Sequence, residues 1–191
     1  MCGRYTLFTD SEYRELIRII QEVGKRFPDQ PVKTGEIYPT NRVPVLTGTH
    51  MELAAEPCIW GFPQYQRSGV IINARAETAI EKRTFKNSLL YDRCVVPSSG
   101  FYEWDKKKNK IRFNTHPDDV LYMAGLRKVN DNQSRFVIMT TAANSSVAPV
   151  HHRMPVILPP DQLQRWTRQG IPTGRCNISK AKCHCYNLIK N

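Results

Sequence analysis

Apolar and polar residues alternate along this chain at two different periods. Near the amino terminus apolar residues recur three or four positions apart, which predicts one amphipathic helix. The residues concerned are Tyr13, Leu16, Ile17, Ile20 and Val23. Thr9 and Glu12 have the spacing of a capping box at the start of this helix. Gly24 and Pro28 are predicted to end it.

Beyond the helix, short apolar stretches separated by polar turns predict a mainly β structure. The predicted strands are 43–46, 53–60, 70–73, 93–97, 100–104, 111–115, 120–129 and 135–141. Residues 28–44 are predicted to be loop, and 76–82 and 85–91 brief helices. A last helix at 160–169 is predicted to bury Leu163 and Trp166. We expect an α+β fold for residues 1–191, a single domain with a mainly antiparallel, twisted or barrel-like sheet and short flanking helices.

Charge is the informative global property of the chain. Its 191 residues include 28 Lys and Arg against 17 Asp and Glu, a formal net charge of +11. Such an excess favours a polyanionic partner, most commonly nucleic acid, although a basic surface without a partner remains an alternative. No apolar run is long enough to cross a bilayer and the start lacks a secretion-signal pattern. We therefore expect a cytoplasmic protein without a membrane partner, nucleoid-associated when bound to DNA.

Cys2 offers unusual chemistry if Met1 is removed. It would then carry a free α-amine and a thiol on adjacent carbons, with ordinary pKa values near ~8 and ~8.5. The amine can form a Schiff base with an aldehyde, and the sulfur can then close a thiazolidine ring. On its own, Cys2 is better explained as a small residue tolerated at this position, and the rest of the sequence is what changes this interpretation.

Several motifs follow one another in a specific order. They are Cys2-Gly3-Arg4, Trp60-Gly61-Phe62, residues 73–77 (NARAE), Lys82-Arg83-Thr84-Phe85, residues 100–104 (GFYEW) and residues 151–155 (HHRMP). From Cys2 to about Leu158 the chain resembles the SOS response-associated peptidase (SRAP) family, whose members crosslink to abasic sites in single-stranded DNA. The motifs match in order, but residues 171–191 contain none that can be assigned.

The resemblance and the chemistry together indicate four catalytic residues, Cys2, Asn73, Glu103 and His151. Opening the abasic sugar requires an acid or base near the ring oxygen, which suits histidine. The resemblance gives this role to His151, and His152 stays open as an alternative. Glu103 lies among aromatic residues, which are expected to raise its pKa for proton transfer during imine formation. Asn73 can orient the amine or the sugar.

DNA contacts are inferred from the same motifs. Arginines at basic motif positions are predicted to clamp phosphates: Arg4, Arg75 and Arg83. Aromatic residues are predicted to stack on bases or wedge between them: Trp60, Phe62 and Trp104. For Trp60 and Trp104, core packing is the alternative. Asn41 lies in a loop that resembles a segment lining the DNA groove of the family.

Two further groups of residues are assigned no chemistry. Cys183, His184 and Cys185 are consecutive and cannot easily chelate one ion together with Cys176, so we expect no metal and no cofactor. The lysines at 106–108 and 110 are interpreted as a solvated loop tip, with phosphate contact as the alternative.

The sequence thus predicts an abasic-site processing enzyme. It would bind single-stranded DNA containing abasic sites and form a thiazolidine crosslink through Cys2, with lyase and self-processing peptidase activities as further possibilities. We expect a monomer without an obligate protein partner. The alternatives are an N-terminal-nucleophile hydrolase or amidotransferase, tested by glutamine hydrolysis, and a non-enzymatic single-stranded DNA-binding module, which would not depend on Cys2.

Overall fold

The computed structural model describes residues 2–48, 52–65, 68–115, 119–130, 132–168 and 188–190. The strands in these residues are β1 (Arg4–Leu7), β2 (Gly35–Ile37), β3 (Arg42–Gly48), β4 (Leu53–Trp60), β5 (Phe62–Pro63), β6 (Val70–Ile71), β7 (Asn73–Arg75), β8 (Arg93–Ser98), β9 (Gly100–Trp104), β10 (Lys110–Asn114), β11 (Leu121–Asn130), β12 (Gln133–Ala142), β13 (Arg153–Pro155), β14 (Ile157–Leu158) and β15 (Ile189–Lys190). The helices are α1 (Arg14–Arg26), α2 (Arg83–Tyr91) and α3 (Leu163–Thr167), and a 3-10 turn at Pro160–Gln162 precedes α3.

Five strands close into a barrel. The ring runs β12–β4–β3–β8–β11 and returns to β12. The β12–β4 pair is parallel and the other pairs are antiparallel. Closure leaves these five strands without an exposed edge. The predicted α+β fold with a barrel-like, mainly antiparallel core is confirmed.

A second sheet packs against the barrel and completes the core. Its strand order is β15–β10–β9–β1–β2. Buried side chains of both sheets form one apolar cluster, which includes Tyr5, Phe101 and Phe113 of the second sheet and Trp60 and Phe136 of the barrel. A second cluster lies under the helices and contains the predicted core residues Leu163 and Trp166. The first cluster also contains Cys2, so the chain start is part of the core.

The predicted start of the first helix is wrong, and of the two residues predicted to end it Pro28 does so, directly after the C-cap residue Phe27, whereas Gly24 does not. α1 begins at Arg14, and Tyr13 at its N-cap makes no side-chain capping bond. Thr9 and Glu12 lie in a turn before the helix, in which the Tyr13 amide donates to the Asp10 carbonyl at 2.9 Å. Gly24 lies within α1 because one glycine costs only about 1 kcal/mol, which the packing of the apolar face offsets.

Two other local predictions are corrected by long-range pairing. Residues 76–81 form turns rather than a helix, directly after β7 pairs with β12. The predicted loop at 28–44 contains β2, which pairs with β1, and the start of β3. The helix predicted at 85–91 is present and begins two residues earlier, at Arg83. Local sequence could not reveal β2, because its partner lies about thirty residues away in the chain.

Candidate active site

Cys2 lies buried at the junction of the two sheets. Its side chain is 0% exposed, and its thiol donates to the carbonyl oxygen of Arg4 at 3.7 Å. Burial raises the pKa of the Cys2 thiol far above its ordinary value, and the charge of Glu103 adds to this effect. The thiol is therefore protonated at neutral pH.

Asn73 holds the backbone of Cys2. Its Nδ2 donates to the Cys2 carbonyl oxygen at 2.9 Å. Its Oδ1 is also buried and accepts no hydrogen bond from the described part of the chain. Asn73 begins β7, which pairs with β12, and this pairing fixes the position of the amide against the chain start. The sequence motif and the structure thus bring Asn73 and Cys2 into direct contact.

Glu103 reaches the same region from β9. Because Arg4 of β1 pairs with Tyr102, the residues before Arg4 lie beside the end of β9 that carries Glu103. The Glu103 side chain is 2% exposed, and burial raises the pKa of its carboxyl group. The expected direction of this pKa change is observed. Burial therefore favours the protonated carboxyl group, the form that can donate a proton.

His151 lies next to Glu103, with 3.9 Å between His151 Nδ1 and Glu103 Oε1. The backbone amide of Arg153 donates to His151 Nδ1 at 3.0 Å, which fixes the ring. Burial lowers the pKa of His151, so the ring is neutral at pH 7. His152 stacks on this ring at 4.4 Å between centroids but is itself exposed. The geometry favours His151 over His152 as the residue that acts with Glu103.

An ion pair that the sequence analysis did not identify joins the two arms of the site, which are residues 73–77 and residues 151–155. Arg153 donates to both carboxylate oxygens of Glu77, at 2.7 and 2.8 Å, and to the Thr140 carbonyl at 2.7 Å. The Arg153 hydrogen bonds lower the pKa of Glu77. Glu77 and Arg153 carry opposite charges and lie in two of the motifs found in the sequence. Their opposite charges are the signal that could have indicated their pairing.

Arg4 and Trp104 lie together on the outer face of the second sheet. The Arg4 guanidinium is 3.8 Å from the centre of the Tyr38 ring and 5.5 Å from that of Trp104. Arg4 Nη1 also forms an ion pair with Glu36 Oε1 at 2.9 Å. The same carboxylate oxygen pairs with Lys110 Nζ at 2.6 Å. Trp104 is half-buried and Tyr38 exposed. This face combines cations and accessible rings, as a nucleic-acid surface requires.

The prediction that Trp60 and Phe62 stack on bases does not fit the structure. Trp60 is 0% exposed, and its indole donates to the Ile72 carbonyl at 3.1 Å. The ring packs on Tyr5 and Phe136, so the core-packing alternative applies. Phe62 is 2% exposed and contacts Phe85. Aromatic residues in a motif do not reveal which face of a strand they occupy.

The remaining predicted DNA contacts lie at or near the surface. Arg75 and Arg83 are exposed, at the end of β7 and the start of α2. Asn41 is half-buried, and its side chain accepts the Tyr38 amide at 2.9 Å. Asn41 therefore shapes the turn that presents the Tyr38 ring.

The described residues contain no group of three or more metal-ligating side chains. Cys176, Cys183, His184 and Cys185 lie outside them. Within the same residues, no helix has the length and hydropathy needed to cross a bilayer.

Solved structures share this fold. A protein from Bacteroides thetaiotaomicron has a TM-score of 0.71 at 22% identity, covering 96% of this chain and 86% of that one. A phage-related protein from Bordetella bronchiseptica has a TM-score of 0.71 at 22% identity, covering 100% of this chain and 94% of that one. At these identities the likeness concerns the fold alone.

Sequence comparison identifies the family. The abasic site processing protein YedK of Escherichia coli is 30% identical over 90% of this chain and 81% of its own length. The abasic site processing protein YoqW of Bacillus subtilis is 33% identical over 87% of this chain and 80% of its own length. The model of the SOS response associated peptidase family matches residues 1–180. The chain therefore belongs to the SOS response associated peptidase (SRAP) family.

Proposed function

We propose that this protein processes abasic sites in single-stranded DNA by forming a covalent thiazolidine between Cys2 and the ring-opened sugar. The observation that carries the proposal is the convergence on Cys2 of three groups that this chemistry needs. Asn73 binds the Cys2 carbonyl group, Glu103 is close enough to raise the pKa of the Cys2 thiol, and His151 lies beside Glu103. The names of the relatives YedK and YoqW support the same substrate.

The first step is the exposure of an aldehyde. His151 Nδ1 lies 3.0 Å from the Arg153 amide nitrogen and 3.1 Å from the Arg153 carbonyl oxygen, and in the neutral tautomer that accepts the amide the proton is on Nε2. This N–H can donate its proton to the sugar ring oxygen while the anomeric hydroxyl gives its proton to a solvent water molecule and the C1′–O4′ bond breaks. The lowered pKa of His151 keeps the ring in this neutral form at pH 7. We assign ring opening to His151 on this basis.

The second step forms the imine. Hydrolytic removal of Met1 leaves a free amine on Cys2, and the amine nitrogen adds to the aldehyde carbon. The resulting hydroxyl group leaves as water after accepting a proton from Glu103, and the nitrogen then gives its proton back to the Glu103 carboxylate, which leaves the neutral imine. Burial raises the pKa of Glu103 and so favours the protonated form that this step requires. Asn73 holds the Cys2 backbone so that the amine faces the aldehyde.

The third step closes the ring. The Cys2 sulfur bonds to the imine carbon, and the thiol proton reaches the imine nitrogen through Glu103. No electrons are exchanged with an external group, and one water molecule is the only product besides the crosslink. Because burial keeps the Cys2 thiol protonated, the amine reacts first and the thiol second.

The Schiff base also permits two further activities. β-Elimination from it would break the DNA strand, and hydrolysis of the crosslink would reverse it. We include an abasic-site lyase activity and self-processing of Met1 in the proposal. We further propose a cytoplasmic, nucleoid-associated monomer, since the residues assigned to catalysis all come from one chain.

The test uses purified protein, single-stranded DNA with one abasic site and a denaturing gel. We expect a shifted band that requires the abasic site, is absent with undamaged DNA and is lost in Cys2→Ala. Intact-mass measurement confirms that Met1 has been removed. A protein that lacks Met1, binds the DNA and gives no stable band would contradict the proposal.

A further inference from the structure

The turn between β9 and β10 presents lysines on a rigid backbone. This lysine hairpin, residues 105–109, is held by the Asp105 carboxylate. Asp105 Oδ1 accepts the amides of Lys107 at 2.8 Å and Asn109 at 2.9 Å, and its Oδ2 accepts Asn109 Nδ2 at 2.9 Å. Lys108 has a positive φ of 65°. The loop is thus ordered by its own side chains, so it can bind a partner at little entropic cost.

The charges of the hairpin are unbalanced. Lys106, Lys107 and Lys108 are all exposed, and none forms an ion pair with the described part of the chain. The carboxylate of Asp105 is engaged by the backbone of the turn, and Glu36 already pairs with Arg4 and Lys110. Three adjacent like charges repel one another, and a bound polyanion relieves that repulsion.

The hairpin directly continues the strand that carries Glu103. Lys106 is three positions after Glu103 in the chain, so their Cα atoms lie at most about 11 Å apart. The rings of Trp104 and Tyr38 lie on the same side of the sheet as Arg4. A single DNA strand that runs from the candidate active site across this face of the sheet would meet the rings of Trp104 and Tyr38, on which bases can stack, and then the lysines of the hairpin.

We propose that the lysine hairpin binds backbone phosphates of single-stranded DNA adjacent to the abasic site. This inference rests on the proposed function and adds a surface outside the catalytic residues. It also revises the sequence-based interpretation of these lysines as a solvated loop tip. Single-stranded DNA fits better than an anionic membrane because accessible rings flank the cations, as in a base-stacking surface.

The experiment compares two charge-matched variants with the unmodified protein. One replaces Lys106, Lys107 and Lys108 by Gln, and the other replaces Arg18, Lys25 and Lys128 by Gln. The second group is exposed and lies on α1 and β11. The affinity for undamaged, fluorescently labelled single-stranded DNA is measured by anisotropy over a range of salt concentrations.

Each lost phosphate contact lowers the slope of log affinity against log salt by about 0.7. The hairpin variant is therefore expected to bind more weakly with a slope smaller by about 2, and the control variant to keep a larger part of the slope. Equal slopes for the two variants would overturn the proposal. So would a hairpin variant that loses binding to phosphatidylserine vesicles while its DNA binding matches the control.

The same protein samples are tested for crosslinking to abasic DNA. If the unmodified protein binds undamaged DNA with the expected hairpin effect but does not crosslink, the proposed function fails and the hairpin surface stands. If it crosslinks but the two variants bind alike, only the hairpin inference fails. An unmodified protein that does not bind single-stranded DNA contradicts both.

Discussion

Burial changes the chemistry of Cys2 and Glu103 in the same direction. It disfavours the charged form of each, so the pKa values of the thiol and the carboxyl group both rise. A protonated thiol is a poor nucleophile, whereas a carboxyl group that titrates closer to neutral pH is a better proton carrier. In the mechanism we propose, one buried environment thus makes Cys2 depend on Glu103.

Glu103→Gln should slow crosslinking about 10²-fold or more, because Gln keeps the shape but carries no proton between amine and thiol. DNA affinity should change little. Single-turnover crosslinking at saturating protein measures the rate, and Glu12→Gln, an exposed carboxylate outside the site, is the control. A Gln variant as fast as the unmodified protein would remove Glu103 from the mechanism.

The raised pKa of Glu103 also makes a prediction about stability. A carboxyl group whose pKa is higher in the folded state favours folding below its ordinary pKa, and this contribution is lost as the pH rises through the folded-state value. Glu103→Gln should therefore raise the melting temperature more at pH 8 than at pH 4. Thermal unfolding at both pH values measures the difference, and a pH-independent difference would contradict the raised pKa.

Single residues were only partly predictable from the sequence. Cys2, Asn73, Glu103 and His151 were predicted from motifs and chemistry, and the structure places Asn73 against Cys2 and His151 beside Glu103. Trp60 was misjudged because exposure depends on which strand face a residue occupies and what covers it. That covering comes from Tyr5 and Phe136, which lie far from Trp60 in the chain.

At the scale of elements, β12 determines the geometry of the site. β7 pairs with it on one side and β13 on the other, so Thr140 of β12 pairs with both Arg75 and Pro155. The arm with Asn73 and the arm with His151 are thereby held against one strand. The ion pair between Glu77 and Arg153 joins these arms a second time.

Glu77→Gln should lower the free energy of unfolding by about 1 kcal/mol at pH 7, since the ion pair is partly exposed. It should also slow crosslinking, because the two arms are less firmly joined. Urea unfolding and single-turnover rates measure the two effects. The hydrogen bonds of Arg153 lower the pKa of Glu77, so this stabilisation is present above the ordinary pKa and lost as the pH falls through the lowered one.

The comparison with the Gln variant at low pH therefore serves as an internal control. The two proteins should converge in stability as Glu77 becomes protonated. A variant with unchanged unfolding free energy at pH 7 would show that the ion pair does not fasten the arms.

Elements with strong local patterns were predicted well. β4 and β9 have the predicted ends, because alternation and turn residues define them locally. The ends of β2 and β13 were not predicted from the sequence. A strand of three residues is too short to show an alternation of apolar and polar positions, and these two are stabilised by pairing with β1 and β12. The closure of the barrel through the parallel β12–β4 pair is likewise a long-range feature that no local pattern indicates.

For the molecule as a whole, the excess positive charge lies mainly at the surface, whereas Cys2 and Glu103, to which we assign catalysis, are buried. The net charge of +11 is carried mainly by exposed side chains, whereas Cys2 and Glu103 lie inside. Salt screens exposed charges much more than buried ones. Binding and bond formation should therefore respond differently to ionic strength.

At limiting protein concentration, crosslinking should slow steeply as salt rises, because binding releases counterions from the DNA. At saturating protein, the rate should change less than about twofold over the same range, since buried groups are weakly screened. Gel assays at both concentrations measure this. A steep salt dependence at saturation would contradict the separation and place exposed charges in the chemical step.

The burial of Cys2 has a consequence for the lifetime of the protein under oxidative stress. Peroxide and alkylating agents react with exposed thiolates, and the Cys2 side chain is neither exposed nor ionised. Oxidation to the sulfenic or sulfinic acid would destroy the nucleophile before any damaged DNA was met. A side chain enclosed in the core is protected from reagents in solution, so the nucleophile that we propose would outlast oxidising conditions that damage DNA.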